Sequence, residues 1–132
     1  MDARPATDLL TTYFRGTSVP LVCAYLFGSY ARGEQRPNSD VDVAVLFPAD
    51  ASSTLIGPLA ALRGDLERSL GRQVDLIDMR RAPVDLIHRI LREGHLLVER
   101  DRAERVRFEV QARNEYFDLL PYLRAYRKAQ AA

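Results

Sequence analysis

Hydrophobic positions change between strand-type and helix-type spacing several times along the chain. An unbroken apolar run at 21–27 has the length and composition of a strand buried on both faces. Shorter patterns predict further strands at 40–47, 73–78 and 95–99. Helical spacing predicts a helix from Thr7 to Gly16, a second one over 59–70, and others over 84–93 and 101–128. This order predicts an α/β fold, with a mixed β-sheet, flanking helices and a long C-terminal helix.

The predicted C-terminal helix carries two apolar stripes. One stripe consists of Val106, Val110, Phe117 and Leu120, and the other of Phe108, Ala112, Leu119, Tyr122 and Tyr126. A small domain can bury only one stripe against its own core, so the tyrosine-rich stripe is a candidate protein interface. The alternative is a helix folded back over the sheet with both stripes covered. Pro121 lacks an N–H and predicts a kink or an end of the helix near Phe117.

A glycine turn directly follows the first predicted strand. Gly28 ends the apolar run, and a residue without a Cβ there lets the chain turn sharply and lets a ligand approach the main chain. Ser29 is then in position to cap a short helical turn, whose free N–H groups would face an anion. An ordinary strand-to-helix turn capped by serine would look the same, so the residues that follow decide between the two interpretations.

Two aspartates begin the second predicted strand. Side chains alternate along a strand, so Asp40 and Asp42 share one side, while the valines between and after them fill the core side. Two carboxylates so close together repel each other, and a divalent cation would remove the conflict. Oxygen ligands of this kind suit magnesium or manganese. The alternative is an exposed, solvated pair with no function.

The third predicted strand offers one more carboxylate. Asp75 and Asp78 fall on opposite faces, so only one of them can join the pair. We choose Asp75, because Asp78 lies where the strand ends. A third acid at this place would bridge metal ions and polarise an attacking hydroxyl group.

These motifs resemble the signature of the polymerase-beta-type nucleotidyltransferases. Gly28-Ser29, ten intervening residues, and Asp40-Val41-Asp42 form its centre, and the surrounding residues 28–45 fit as well, with Val43 where leucine is more usual. The resemblance is greatest to the minimal nucleotidyltransferases. It implies a nucleotidyltransferase fold, ATP as substrate with two Mg²⁺ ions (or Mn²⁺), phosphate binding by Gly28 and Ser29, and metal binding and catalysis by Asp40, Asp42 and Asp75.

The resemblance also implies a partner. Relatives of this size work as antitoxins that transfer adenylyl groups to a tyrosine of a HEPN-domain toxin. Two alternatives stay open: an antitoxin that neutralises its partner by contact alone, and a nucleotidyltransferase for a small molecule such as an antibiotic. We expect one minimal domain over 1–132, with a catalytic core at about 20–100 and the C-terminal helix at about 101–128.

The charged residues limit which partners are expected and which side chains are available to bind phosphate. The net charge of +1 argues against a protein that grips nucleic acid by its backbone, so no direct nucleic-acid binding is expected. Lys128 is the only lysine, which excludes a P-loop mechanism. Arginine must therefore contact the triphosphate, and Arg32 is the candidate because it follows the turn. Its alternative role is a surface salt bridge to Glu34 or a neighbouring acid.

The remaining chemistry-bearing residues suggest structural roles. Cys23 is the only cysteine and lies in the first predicted strand, where a small buried apolar side chain is expected. His88 and His95 lack metal-ligand spacing to each other or to the cysteine. No apolar run reaches the ~18 residues that a membrane span needs. We therefore expect a cytoplasmic protein without a membrane partner.

Overall fold

Four strands form a single sheet in the part of the chain that the computed structural model describes, residues 3–50 and 56–131. They are β1 (Cys23–Phe27), β2 (Val41–Leu46), β3 (Val74–Asp78) and β4 (His95–Glu99). Their spatial order is β3-β2-β1-β4. β1 pairs antiparallel with β2 and β4, whereas β2 and β3 are parallel. The predicted mixed sheet is confirmed.

Within residues 3–50 and 56–131, five α-helices pack on this sheet or extend from it. They are α1 (Ala3–Gly16), α2 (Gly28–Arg32), α3 (Ile56–Leu70), α4 (Val84–Glu93) and α5 (Arg102–Ala131), and a short 3-10 helix, Met79–Arg81, follows β3. The predicted start of the first helix at Thr7 is wrong, because α1 already begins at Ala3. Pro5 does not prevent this, since the first turn of a helix has no intrahelical partner for its N–H groups.

The sheet buries an apolar layer on each face. On the first face, Val41, Val43 and Val45 pack in one cluster with Phe14 of α1 and Leu66 of α3. On the second face, Ala44, Leu46, Ile87 and Ile90 belong to another cluster, which α4 and α5 cover. The predicted alternation of β2 is therefore confirmed, and it assigns Asp42 to the second face.

Helix α5 is attached to the sheet mainly through its first half. The Tyr25 hydroxyl group donates to Glu109, and Arg105 forms ion pairs with Glu99 and Glu109. Ala112 is the buried residue of this helix. Burial raises the pKa of Tyr25, and the neighbouring Glu109 carboxylate adds to the effect, so the phenol stays protonated and keeps donating.

The second half of α5 extends away from the core. Phe117, Tyr122 and Tyr126 are 57%, 73% and 65% exposed. The alternative in which both apolar stripes are covered is therefore wrong. Of the kink or end predicted near Phe117, the end is wrong, because α5 continues through Pro121 to Ala131. None of the helices in the described segments is long and apolar enough to cross a membrane.

Candidate active site

The glycine turn lies at the edge of the second face, between β1 and α2. Gly28 has a positive φ of 73°, so the backbone turns directly from the strand into the helix. The prediction that Ser29 caps this helix is wrong, because Phe27 occupies the N-cap position without a side-chain cap hydrogen bond and Ser29 lies inside α2. Gly33, with a φ of 70°, ends the helix.

Asp42 lies between the glycine turn and the third strand. It pairs with Phe27 of β1 on one side and with Asp75 of β3 on the other. A Cβ built on Gly28 would overlap Oδ2 of Asp42 and lie 2.8 Å from its Cγ. The carboxylate therefore occupies the space that the absent Gly28 side chain leaves free.

The choice of Asp75 over Asp78 agrees with the register. Asp75 is the direct neighbour of Asp42 on the parallel strand, so the two side chains share the second face. Asp78 instead accepts a hydrogen bond from the Arg80 backbone N–H at 3.1 Å and caps the 3-10 helix. It therefore has a structural role at the end of β3.

Burial and neighbouring charges both change the pKa of the Asp42 carboxyl group. The pKa of its carboxyl group is raised to about 6, first by burial and then by repulsion from Asp75 and Asp40. Arg89 and Arg32 lower it in part. Asp40, just before β2, is exposed. All three predicted acids thus belong to one electrostatic group, and a positive charge bound among them would relieve the repulsion.

The donor set fits magnesium chemically but does not form a closed cage. Among residues 3–50 and 56–131, no three His, Cys, Asp or Glu side chains are gathered closely enough to enclose a metal ion. Magnesium does not need such a cage, because it commonly keeps several waters and takes one or two carboxylates together with substrate phosphate oxygens. Asp40, Asp42 and Asp75 would supply the carboxylates.

Two arginines meet at Glu93, beside the acidic group. Arg32 Nη1 lies 3.0 Å from Glu93 Oε1, and Arg89 Nε lies 3.8 Å from the same oxygen. Arg32 also pairs with Glu34 at 3.0 Å, which is the salt bridge that the sequence offered as its alternative role. Glu93 is only 17% exposed, while both arginines are more open to solvent. Nucleotide binding by Arg32 stays a prediction.

Arg89 and Glu93 are the site residues that the sequence analysis missed. Both lie on α4, which was predicted only as a core helix. Their signal is a pair of charged residues at i and i+4, which is common on solvated helices and therefore not specific. Only the fold shows that this end of α4 reaches α2.

The cysteine and the histidines lie outside the acidic group. Cys23 is fully buried, and burial raises the pKa of its thiol to about 12, which suits an inert apolar residue. His95 Nε2 lies 2.8 Å from the Ala31 carbonyl oxygen, which links β4 to α2. His88 stacks on Tyr116, with ring centroids 3.6 Å apart. These contacts agree with the predicted structural roles.

Comparisons with known proteins agree with this geometry. A family described as polymerase beta, nucleotidyltransferase matches residues 10–103. The chain is 38% identical to the protein adenylyltransferase MntA of Shewanella oneidensis over 73 residues. That stretch covers 55% of this chain and 50% of MntA, so the similarity extends over half of the relative's length.

Solved structures match over nearly the whole chain. A toxin–antitoxin crystal structure with AMP-PNP has a TM-score of 0.75 and 28% identity, and the match covers 96% of this chain and 98% of that one. An MntA–HpeT toxin–antitoxin complex with two aspartate-to-glutamate substitutions has a TM-score of 0.74 and 26% identity, with both chains fully covered. The expected nucleotidyltransferase fold is thus confirmed.

Proposed function

Because the chain belongs to the polymerase beta nucleotidyltransferase family, we propose that it transfers AMP from ATP to a tyrosine hydroxyl group of a HEPN-type toxin and acts as its antitoxin. The similar MntA protein is an adenylyltransferase, and a similar toxin–antitoxin structure holds AMP-PNP, an ATP analogue. The observation that carries the proposal is the position of Asp42, against Gly28 and in register with Asp75.

The proposed reaction is an exchange of two bonds at the α-phosphorus of ATP. The tyrosine oxygen forms a bond to this phosphorus while the bond to the oxygen that bridges to the β-phosphate breaks. Pyrophosphate leaves with the electron pair of the broken bond. The tyrosine proton passes to a nearby base, for which Asp75 is the candidate.

The residues around Asp42 have complementary proposed roles. Gly28 and Ser29 leave the backbone open to the phosphates, and Arg32 with Arg89 offers positive charge beside them. Asp40, Asp42 and Asp75 would hold Mg²⁺. When bound, Mg²⁺ neutralises charge on the triphosphate and on the attacking and leaving oxygens.

A label-transfer experiment tests this proposal. The purified chain is incubated with the purified toxin partner, Mg²⁺ and ATP labelled at the α-phosphate. We expect label on the toxin, loss of labelling with Asp42→Asn, and loss when EDTA removes the cation. Absence of label on the toxin with the unaltered chain would overturn the proposed reaction. ATP labelled at the γ-phosphate serves as the control, because its label leaves with pyrophosphate.

Neutralisation by contact alone is the second candidate function. The exposed aromatic side chains of α5 favour it, because Tyr122 and Tyr126 lie on one stripe of the helix and form a surface suited to a protein partner. Toxin neutralisation that survives the double change Asp40→Ala, Asp42→Ala would support this candidate. Loss of neutralisation with toxin binding retained would support the enzyme.

A further inference from the structure

A positively charged cavity lies between α4 and α5, next to the candidate active site. Its volume is about 370 Å³, and Arg89, Arg92 and Arg127 line it together with the stacked rings of His88 and Tyr116. Asp85 is its only acidic lining residue in the described segments. The interplanar angle of the two rings is 1°, so the stack joins the helices and fixes the wall of the cavity.

Two of these arginines lack a carboxylate partner. Arg92 and Arg127 form no ion pair with any residue of the described segments, whereas several other arginines of α4 and α5 are paired, as Arg89 is with Glu93 and Arg105 with Glu99. Unpaired guanidinium groups facing one cavity repel each other mildly. A bound anionic group would remove that repulsion and satisfy their planar N–H donors.

Arg89 links the cavity to the candidate active site. It lines the cavity, and its charge also acts on Asp42. A chain segment that lies in the cavity therefore passes close to the site where we place the α-phosphate of ATP. Along α5, the exposed Phe117 and Tyr126 are the sequence neighbours of the lining residues Tyr116 and Arg127, and they lie on opposite sides of the helix.

We infer that this cavity is the docking site for the acceptor polypeptide, and that it binds an acidic segment next to the tyrosine that receives AMP. The inference rests on the proposed function and names the chemistry of its acceptor. The mixture of arginine and exposed amphipathic aromatic residues is typical of protein interfaces. The net charge of +1 favours a protein over a nucleic acid as occupant.

Binding of labelled peptides tests the proposed docking site and does not require catalytic turnover. Fluorescein-labelled peptides with a central tyrosine flanked by glutamates or by lysines are titrated with the full chain, and anisotropy is followed. We expect the acidic peptide to bind more tightly, and the double change Arg92→Glu, Arg127→Glu to weaken it about tenfold. Equal affinity for both peptides would overturn the inference, and so would tighter binding of a single-stranded RNA that the double change abolishes.

Arg102→Glu is the matched control for charge reversal. Arg102 is exposed, is not among the residues that line this cavity, and lies 25 positions from Arg127, roughly 37 Å along an ideal helix. We expect no change in acidic-peptide binding with this control. An equal loss would mean that overall charge decides, and would overturn the assigned site.

The toxin assay distinguishes failure of the docking inference from failure of the proposed reaction. With labelled ATP and toxin, the double change is expected to raise the KM for the toxin about tenfold and to leave the KM for ATP unchanged. If the unaltered chain labels the toxin and the double change has no effect, the docking inference fails alone. If the unaltered chain labels no toxin but still prefers the acidic peptide, the proposed reaction is wrong and the docking inference is retained.

Discussion

The Asp42 carboxylate occupies the space where Gly28 would otherwise carry a side chain. A Cβ on Gly28 would overlap Oδ2 of Asp42, and the positive φ of Gly28 would strain any other residue there. The glycine thus lets the turn form and lets the carboxylate approach it. One residue therefore determines both the proposed phosphate-binding turn and the position of a proposed metal ligand.

Gly28→Ala is expected to abolish turnover as well as reduce stability. The overlap must push Asp42 or the turn aside, and a displacement of about 1 Å near reacting groups costs on the order of 100-fold in rate. The left-handed backbone adds about 1–2 kcal/mol of strain. Label transfer and urea unfolding measure the two effects.

Gly33→Ala is the control for backbone strain alone. Gly33 has nearly the same φ of 70°, but nothing lies within 4 Å of a Cβ placed there. Its variant should lose about 1–2 kcal/mol of stability and keep label transfer. Equal losses of activity in both variants would contradict the role of the Gly28–Asp42 contact.

Asp75→Asn is expected to stop transfer and leave nucleotide binding largely intact. A positioned base contributes about 10²–10⁴-fold to proton-transfer reactions, and Asn keeps the shape without that function. Asp78→Asn is the comparison, because Asp78 lies on the same strand but caps the 3-10 helix. Transfer rates and ATP binding are measured for both. Unimpaired transfer by Asp75→Asn would refute its role.

Local patterns were sufficient to predict much of this fold. The alternation of β2 placed Asp42 and its neighbours on the correct faces, and 84–93 and 95–99 coincide with α4 and β4. These predictions succeed because burial on one face imposes a period of two on a strand and about 3.6 on a helix. The element bounds then follow from glycines that end helices.

The failures concern effects that sequence patterns do not contain. Ser29 has the chemistry of a helix cap, but the turn at Gly28 starts the helix two residues earlier, with Phe27 at the N-cap position. Arg32 and Glu93 are 61 residues apart in sequence and meet only because α4 packs beside α2. Pro121 leaves the Phe117 carbonyl without its helical partner, and water can bind that carbonyl because Phe117 is exposed.

Asp42 should make the stability of the cation-free chain depend on pH. Its pKa rises from 3.8 to about 6 on folding, so the fold favours the protonated carboxyl group. The stability contribution of this proton is full below the lower value, declines between the two, and is lost above about 6. Asp42→Asn should therefore raise the thermal midpoint at about pH 7.5, and change it little at about pH 4, with EDTA present.

The control for this pH dependence is Asp65→Asn. Asp65 is a partly exposed residue of α3, which packs on the first face of the sheet and not on the face of the acidic group, and it pairs with Arg68 and accepts a hydrogen bond from Tyr13. It should not reproduce the rise at the higher pH. If Asp42→Asn raises the midpoint equally at both pH values, ionisation of the Asp42 carboxyl group, disfavoured by burial and by repulsion from Asp75 and Asp40, is not the cause.

Glu93→Gln is expected to lower kcat without raising the KM for ATP. The amide removes a negative charge near the proposed triphosphate, which favours ATP binding, but it no longer fixes Arg32 and Arg89. Loose arginines stabilise developing charge poorly, so we expect about a tenfold lower kcat. Steady-state kinetics with varied ATP measures both parameters.

Glu34→Gln is the comparison for Glu93. Glu34 also pairs with Arg32 but is 67% exposed, and an exposed pair contributes about 1 kcal/mol or less. Arg32 would still be held by Glu93 in this variant. We expect kcat to stay within about twofold of the unaltered value. The same kinetic change in both variants would contradict a special role for Glu93.

Pro121→Ala tests whether α5 continues as one helix into its exposed half. Proline in a helix interior costs about 3 kcal/mol relative to alanine, so the change should raise the free energy of local opening beyond residue 121. Hydrogen exchange of the amides after this position should slow, while the sheet amides stay unchanged. Leu119→Ala is the control, because it truncates a partly exposed side chain and keeps the backbone pattern. If exchange does not slow in Pro121→Ala, the second half of α5 is held by something other than its own helical hydrogen bonds.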